Sequence, residues 1–185
     1  MKLIVFQSRI HRQRGASLII GLLFLIVLTL LGVTSMSKAV MEEKVVHNQR
    51  DTSVAMQSAE SGLKDIETWL NTQPVRPLTV AMGGTVVKDN GTYSGQTVNT
   101  QTAAWWTANG IQYGALTTNV APLPNVASQP RIVTQQLAWV PDNLGMATNY
   151  AEQAGVAYYE VSAQGAGQNA ATRVTLQSVY AKRFN

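Results

Sequence analysis

The sequence predicts an α+β fold in which a long N-terminal α-helix packs on a C-terminal antiparallel β-sheet head. Residues 14–36 read RGASLIIGLLFLIVLTLLGVTSM, an apolar run with neither charge nor proline after Arg14. A segment with helical spacing follows as far as Pro74, and the rest of the chain is rich in Gly, Thr, Asn, Gln and β-branched residues. The first two features predict a helix, and the third predicts strands and turns.

The apolar run is long enough to cross a bilayer. Residues 17–36 number 20, and a helix of that length rises about 30 Å, the hydrocarbon thickness of a membrane. A helix also satisfies its own backbone hydrogen bonds in lipid. Because no second apolar run follows, we expect a single-pass anchor that carries a helical stalk and a head outside the membrane.

The basic residues are concentrated before this span. Lys2, Arg9, Arg12 and Arg14 lie in the first fourteen residues without an acid, which leaves ten basic and ten acidic residues in the rest of the chain. Positive residues beside a span stay in the cytoplasm, so the C-terminal portion is predicted to be translocated. The net charge of +4 therefore belongs to the leader, and we expect no nucleic acid as a partner.

Two ordinary interpretations of the leader remain open on hydropathy. A secretory signal would be cleaved near Ser35-Met36-Ser37, but the apolar run exceeds the 7–15 residues usual for such signals. A plain uncleaved anchor is the other interpretation, and it would keep residues 1–15 on the mature protein.

The junction between leader and helix resembles a known signal. Arg14-Gly15-Ala16-Ser17-Leu18 before an aliphatic helix is similar to the class III signal of type IV prepilins. The resemblance implies that prepilin peptidase cuts after Gly15, methylates the new N-terminus at Ala16 and leaves the apolar helix on the mature protein. Arg12 and Arg14 would then belong to the basic leader that is removed.

One position departs from the pilin pattern. Most pilins carry a glutamate as the fifth mature residue, and here that position is Ile20. A buried carboxylate without a partner costs several kcal/mol, so pilins bury this acid against the N-terminal amine of a neighbouring subunit. Its absence predicts a subunit that does not dock beneath a neighbour as a bulk subunit does, which is typical of minor pilins, including some at the filament tip.

The stalk is predicted to continue the same helix. Residues at three- and four-residue steps form one stripe, with polar residues in its middle, and Pro74 ends the helix. The stripe consists of Met41, Val45, Asn48, Thr52, Met56, Ala59, Leu63, Ile66 and Leu70.

The stalk also resembles that of PilX-type minor pilins. Glu42-Glu43-Lys44, then H-N-Q-R-D at 47–51 and Q-S-A-E-S-G-L at 57–63, is similar to a family stalk with N-Q-R-D and Q-A-A-E-A-A-L elements. Shorter blocks in the head, W-W, Q-P-R, V-S-A-Q-G-A-G and L-Q-S-V-Y, extend the resemblance. It implies a pilin-like organisation: leader 1–15, membrane and filament-core half 16–37, amphipathic stalk half 38–73, and β-rich head 74–185.

The head is predicted to contain several strands. Asn90-Gly91 predicts a hairpin between residues 84–88 and 92–93, and residues 130–140, 156–163 and 173–180 have strand composition. Trp105 and Trp106 are expected in the head core. The sheet is expected to pack on the stalk through Leu63, Ile66, Trp69 and Leu70.

Catalytic constellations are missing from the head. The chain has no cysteine, and its two histidines, His11 and His47, lie in the leader and the stalk. Thiol, triad and zinc chemistries therefore lack their parts. Asp142 and Glu152 could at most form a weak calcium site. We expect no enzyme, no cofactor and no metal.

The resemblance implies a minor pilin that takes part in type IV pilus assembly, within a priming complex. Its expected partners are prepilin peptidase, other minor pilins, the major pilin and, before assembly, inner-membrane lipid. Gly21 and Gly32 would allow close packing between helices in the filament. The alternatives are a type II secretion pseudopilin, a pilus-associated adhesin or DNA-uptake subunit, and a plain signal-anchor protein.

Overall fold

A single long helix opens the described part of the chain. The computed structural model describes residues 16–79, 86–93, 98–117, 119–142 and 154–185. Helix α1 covers Ala16–Thr72, so the predicted continuation of the anchor into the stalk is confirmed. Gln73 donates its backbone N–H to Leu70 O at 3.2 Å and Pro74 follows, which ends the helix at the predicted place.

The chain divides into two units, Met1–His47 and Asn48–Asn185, and α1 contributes to both. In the first unit every described residue of α1 is exposed. The second unit contains the upper part of α1 and the whole head.

Five strands form one sheet among the described residues of the head. The long strands β3, β4 and β5 pair in antiparallel order, as predicted, and they form most of the sheet. The short β2 pairs antiparallel with β3, and the sheet order is β1-β3-β4-β5. The strand bounds are β1 Val87–Lys88, β2 Ile111–Gln112, β3 Arg131–Pro141, β4 Gly155–Ala166 and β5 Arg173–Phe184.

The predicted hairpin at Asn90-Gly91 is wrong. Strand β1 pairs in parallel with β3, with Val87 opposite Thr134, so the sheet is mixed. Asn90 and Gly91 do form a turn, but Asn90 Nδ2 donates to Leu137 O at 2.7 Å, beside the irregularity in β3 between Gln136 and Ala138. The turn therefore attaches the end of β1 to β3 and does not reverse the chain into a second paired strand.

In the part of the chain that the structure describes, the sheet supports two hydrophobic clusters. The larger cluster packs strand residues against α1 and buries Ile66, Leu70, Val87, Ile132, Ala157, Tyr159, Val161, Ala163 and Phe184. The smaller cluster joins β3 to a second helix, α2, Ala103–Asn109, and buries Tyr93, Val98, Trp106 and Val133. Helix α2 was not expected from the sequence, and it adds cover to a head predicted to be strands and loops.

Candidate functional site

The lower part of α1 presents an apolar surface. Leu18, Phe24 and Leu28 are each more than half exposed, and so are most of their large apolar neighbours. Within the described residues α1 is the helix that is long and apolar enough to cross a membrane. Exposed aliphatic side chains of this density are favourable in lipid or against other apolar helices, and not in water.

Three of the five hydroxyl groups in residues 16–37 are satisfied within the helix itself. Thr29 Oγ1 donates to Ile26 O at 2.8 Å, Thr34 Oγ1 donates to Leu30 O, and Ser37 Oγ donates to Val33 O at 3.0 Å. Each hydroxyl returns its hydrogen to a carbonyl three or four residues earlier, as is usual when water is absent. No polar group of these three side chains therefore requires a partner in the membrane.

The predicted site residues of this half occupy its surface. Ala16 begins α1, Ile20 is 55% exposed, and neither Gly21 nor Gly32 has an atom within 4 Å of the place where a Cβ would stand. The two glycines are thus open notches on the helix, and their role in packing against other subunits stays a prediction. Gly15, Arg12 and Arg14 lie outside the described residues.

Small residues join the upper part of α1 to the sheet. Ala55, Ala59 and Gly62 are buried on α1. A Cβ added to Gly165 of β4 would overlap backbone atoms of Ala55 and Ala59, and one added to Gly62 would stand 3.2 Å from the Cβ of Ala163. The helix and strand β4 therefore approach each other at backbone distance, which only small side chains on both elements allow.

Larger apolar residues extend this contact toward the C-terminal end of α1. Ile66 and Leu70 are fully buried in the larger cluster, and Leu63 and Trp69 pack against it while partly buried. The four residues named from the sequence for this contact therefore lie together. The lower part of the predicted stripe differs, since Met41, Val45, Asn48, Thr52 and Met56 are exposed.

An aspartate that the sequence pattern placed off the stripe is buried instead. Asp65 is only 6% exposed, and it accepts hydrogen bonds from the backbone N–H of Gly114 at 2.8 Å and from Thr117 Oγ1 at 2.7 Å. These two donors compensate the burial of the carboxylate. They also attach the loop after β2 to the stalk, a link that no local sequence signal indicated.

Two further charged residues hold the ends of this junction. Lys182 of β5 donates from Nζ to the carbonyl oxygens of Leu70, Asn71 and Gln73 at 2.6–2.9 Å, which caps the C-terminus of α1 with a positive charge. Partial burial lowers the pKa of Lys182. At the other end Asp51 holds the turn between β4 and β5.

Asp51 accepts hydrogen bonds from the backbone N–H groups of Gln168 at 2.5 Å and Asn169 at 3.2 Å. The pKa of Asp51 is lowered, chiefly by a hydrogen bond from the Thr172 side chain and further by these two backbone donors. Asp51 is the acid of the N-Q-R-D element, so part of the stalk signature that was recognised in the sequence contacts the head.

The tryptophan pair lies in α2. Thr102 caps the start of this helix by accepting a hydrogen bond from Trp105 N at 3.3 Å, and Gly110 follows its end. Trp106 is fully buried, whereas Trp105 is partly buried and packs edge-to-face on Tyr93 at a ring distance of 5.6 Å. The Thr102 cap and Gly110 are the local signals that could have identified this helix.

The described residues offer no group of His, Asp and Glu side chains that could hold a metal ion. Asp142, one half of the calcium alternative, instead pairs with Arg183 at 2.6 Å, and Glu152 lies outside the described residues. The charged side chains at the junction, Asp51, Asp65 and Lys182, make their contacts between the stalk helix and the head of the same chain.

These features define a class of protein. An N-terminal helix that is apolar and exposed in its first half, and whose second half carries an α+β head, is a pilin-like fold with a membrane-anchored helix. Residues 14–64 match the model of the PilX N-terminal family, and this match supports a type IV pilus pilin of the PilX family. No curated protein and no solved structure matches the chain.

Proposed function

We propose that this PilX-family subunit acts as a minor pilin that primes type IV pilus assembly. In this proposal prepilin peptidase cuts after Gly15 and methylates Ala16, which becomes the first mature residue. The observation that carries the proposal is the exposed apolar half of α1, preceded by Arg14-Gly15 and lacking a single charge from Ala16 to Ser37. Such a segment is stable in lipid and equally suited to a bundle of apolar helices.

Ile20 favours a priming role over a place in the bulk of the filament. A glutamate at this position would require an amine from a neighbouring subunit, and an isoleucine requires none. A subunit with Ile20 can therefore enter an assembly in which no earlier subunit presents that amine. This property suits the first subunits of a filament and is consistent with a position near the tip.

The transfer from membrane to filament needs a contact that lipid does not provide. Apolar helices gain little hydrophobic free energy when they leave lipid for a bundle, because both surroundings are apolar. Close packing between helices supplies the free energy that favours the bundle over lipid. Gly21 and Gly32, which have open space around them in the single chain, are the positions where another helix can approach α1 most closely.

The partners of this step follow from the proposal. Before assembly the subunit lies in the bacterial inner membrane with its head outside the cytoplasm, as the basic leader favours. It then joins other minor pilins and the major pilin, and it ends in the extracellular pilus. Prepilin peptidase acts on it before either contact.

Mass spectrometry of the subunit isolated from sheared pili tests this proposal. The expected N-terminus is a methylated Ala16, with residues 1–15 absent. A Gly15→Trp variant should retain the leader and be missing from the pilus fraction, while a Ser8→Trp variant, altered within the leader but away from the cut, serves as the control. An intact leader on protein in the pilus, or cleavage near Ser37, would refute the proposal.

A further inference from the structure

A cleft beside α2 gathers basic side chains without an acid. It has a volume of about 220 Å³ and lies between α2, the loop before β3, and the first residues of β3 and β5. Its lining includes Arg131 and Arg173 together with Trp106, Gln112 and Ser128. Two of the short blocks noted in the sequence, W-W and Q-P-R, thus contribute side chains to this lining.

The two guanidinium groups of the cleft contact neutral oxygens. Arg131 Nη1 donates to Gly110 O at 3.3 Å, and Arg173 Nη1 donates to Gln164 Oε1 at 3.3 Å. No Asp or Glu lines the cleft, and in the described part of the chain no carboxylate pairs with either arginine. Each guanidinium has five N–H donors arranged to bind a planar oxyanion through two parallel hydrogen bonds.

The indole of Trp106 adds a buried donor at the same place. The Trp106 side chain is fully buried, and its Nε1 finds no acceptor among the described residues. Leaving a buried N–H without an acceptor costs free energy, so such groups are rare unless a ligand or a water completes them. Trp106 also lines the cleft, so its indole signal can report on a molecule that binds there.

We propose that this cleft is a binding site for a single carboxylate group. Its volume is below the range of pockets that bind drug-sized molecules, which suits one acidic side chain or a small organic acid. An extended polyanion such as DNA requires several phosphate contacts along a basic surface. Beyond Gly15 the basic and acidic residues of this chain are equal in number, so the observations favour a carboxylate over a nucleic acid.

The Trp106 indole N–H provides a specific readout. Full-length protein in detergent micelles, labelled with ¹⁵N, is titrated with N-acetyl-L-glutamic acid α-amide, which carries one side-chain carboxylate. The expected result is a saturable shift of the Trp106 indole signal with a Kd in the millimolar range, while the indole of Trp139, in the other cluster, stays unchanged. Separate Arg131→Gln and Arg173→Gln variants should weaken the binding by about tenfold or more, because each removes a charge-assisted hydrogen bond.

Matched probes distinguish the sources of the carboxylate. N-acetyl-L-glutamine α-amide has the same size without the charge and should not bind. Acetate binding as tightly as the glutamic acid probe would assign the site to free organic acids, and weaker acetate binding would assign it to an acidic side chain of a protein. The Arg183→Gln variant, altered in a distant ion pair, should bind like the unaltered protein.

Three results with the glutamic acid and glutamine probes would overturn the proposal. They are no shift of the Trp106 signal at 50 mM probe, an equal shift with the neutral glutamine probe, and unchanged binding in both arginine variants. Binding of inorganic phosphate or a short single-stranded DNA without binding of carboxylates would also overturn it, in favour of a phosphate site. Because none of these measurements involves pili or leader cleavage, their outcome is independent of the proposed role in assembly.

Discussion

A Gly165→Ala substitution should be the most damaging single-methyl change at the contact between α1 and β4. The new Cβ would overlap the Ala55 carbonyl oxygen and the Ala59 backbone nitrogen, and it would stand 3.0 Å from Ala59 Cα. None of these atoms belongs to a side chain that can rotate away. Restoring ordinary contact distances requires α1 and β4 to separate by about 1 Å, which forfeits part of the dispersion energy along the interface.

The loss in the free energy of unfolding can be estimated from the known cost of overpacking. Overpacking a close-packed interior costs about 1–3 kcal/mol and occasionally more, and a backbone obstacle places Gly165→Ala at the upper end. A loss of about 3 kcal/mol corresponds to a fall in Tm of roughly 10 °C for a chain of this size. Thermal unfolding of the full-length protein in detergent, followed by near-ultraviolet circular dichroism of the tryptophans, would measure it.

Two glycines of α1, Gly62 and Gly32, serve as graded controls for Gly165→Ala. At Gly62 the added methyl would stand 3.2 Å from two side-chain carbons, a crowding that the gain in helix propensity of about 1 kcal/mol offsets, so Gly62→Ala should change Tm by only a few degrees. Gly32→Ala meets no atom and should leave the Tm of the head unchanged. If Gly165→Ala melts within 2 °C of the unaltered protein, the backbone-distance contact is wrong.

Three further substitutions test the polar contacts and the proposed role. Asp51→Asn should lower Tm at pH 7. Because the pKa of Asp51 in the folded state lies below the usual 3.8, the difference in Tm should vanish as the pH falls through and below the folded-state pKa. A constant difference in Tm from pH 7 to 2.5 would contradict the contact. Lys182→Met should cost about 1–2 kcal/mol by removing the charged cap from α1, measurable as a fall in the urea midpoint, with Lys88→Met as a control for loss of charge. Ile20→Glu should reduce pilus number on the cell surface by electron microscopy without changing the amount of subunit in the membrane, while Ile19→Val should not; unchanged piliation with Ile20→Glu would count against priming.

The long elements could be predicted from the sequence because their patterns are long. The apolar run and the helical spacing predicted α1, and strand composition predicted the three long strands to within a few residues. Burial in β5 largely alternates, since Val174, Leu176 and Tyr180 are partly buried while Gln177 and Val179 are exposed, with the partly buried Thr175 as an exception. A sequence pattern that is repeated over eight or more residues is compatible with few alternative secondary structures.

The short elements depended on distant partners. Asn90-Gly91 has the composition of a hairpin turn, but β1 is two residues long and its pairing is set by β3, some 47 residues away. Helix α2 has seven residues, too few to show a period, and its stability derives from the burial of Trp106. For such segments local propensity is a weaker determinant than tertiary packing.

The junction between stalk and head was foreseen in its apolar part only. A hydrophobic stripe at helical spacing identifies Ile66 and Leu70, but it cannot show that Asp65 between the same turns is buried. That burial depends on the Gly114 N–H and the Thr117 hydroxyl, which lie about 50 residues further along the chain. Polar pairs across such separations have no spacing rule, so they become visible only in the folded structure.

The hydrogen bonds of the two aspartates at the junction help to explain why position 20 is an isoleucine. Asp51 and Asp65 each face two or more hydrogen-bond donors from the head, so their charges are compensated within the subunit. Ile20 lies on the exposed helix surface, where the described residues place no donor, so a carboxylate there would depend on another subunit. These two acids of α1 thus stand where their own chain supplies donors, whereas Ile20 stands where only a neighbouring subunit could supply one. Isoleucine at position 20 therefore stabilises a subunit that must remain in lipid before any neighbouring subunit is bound.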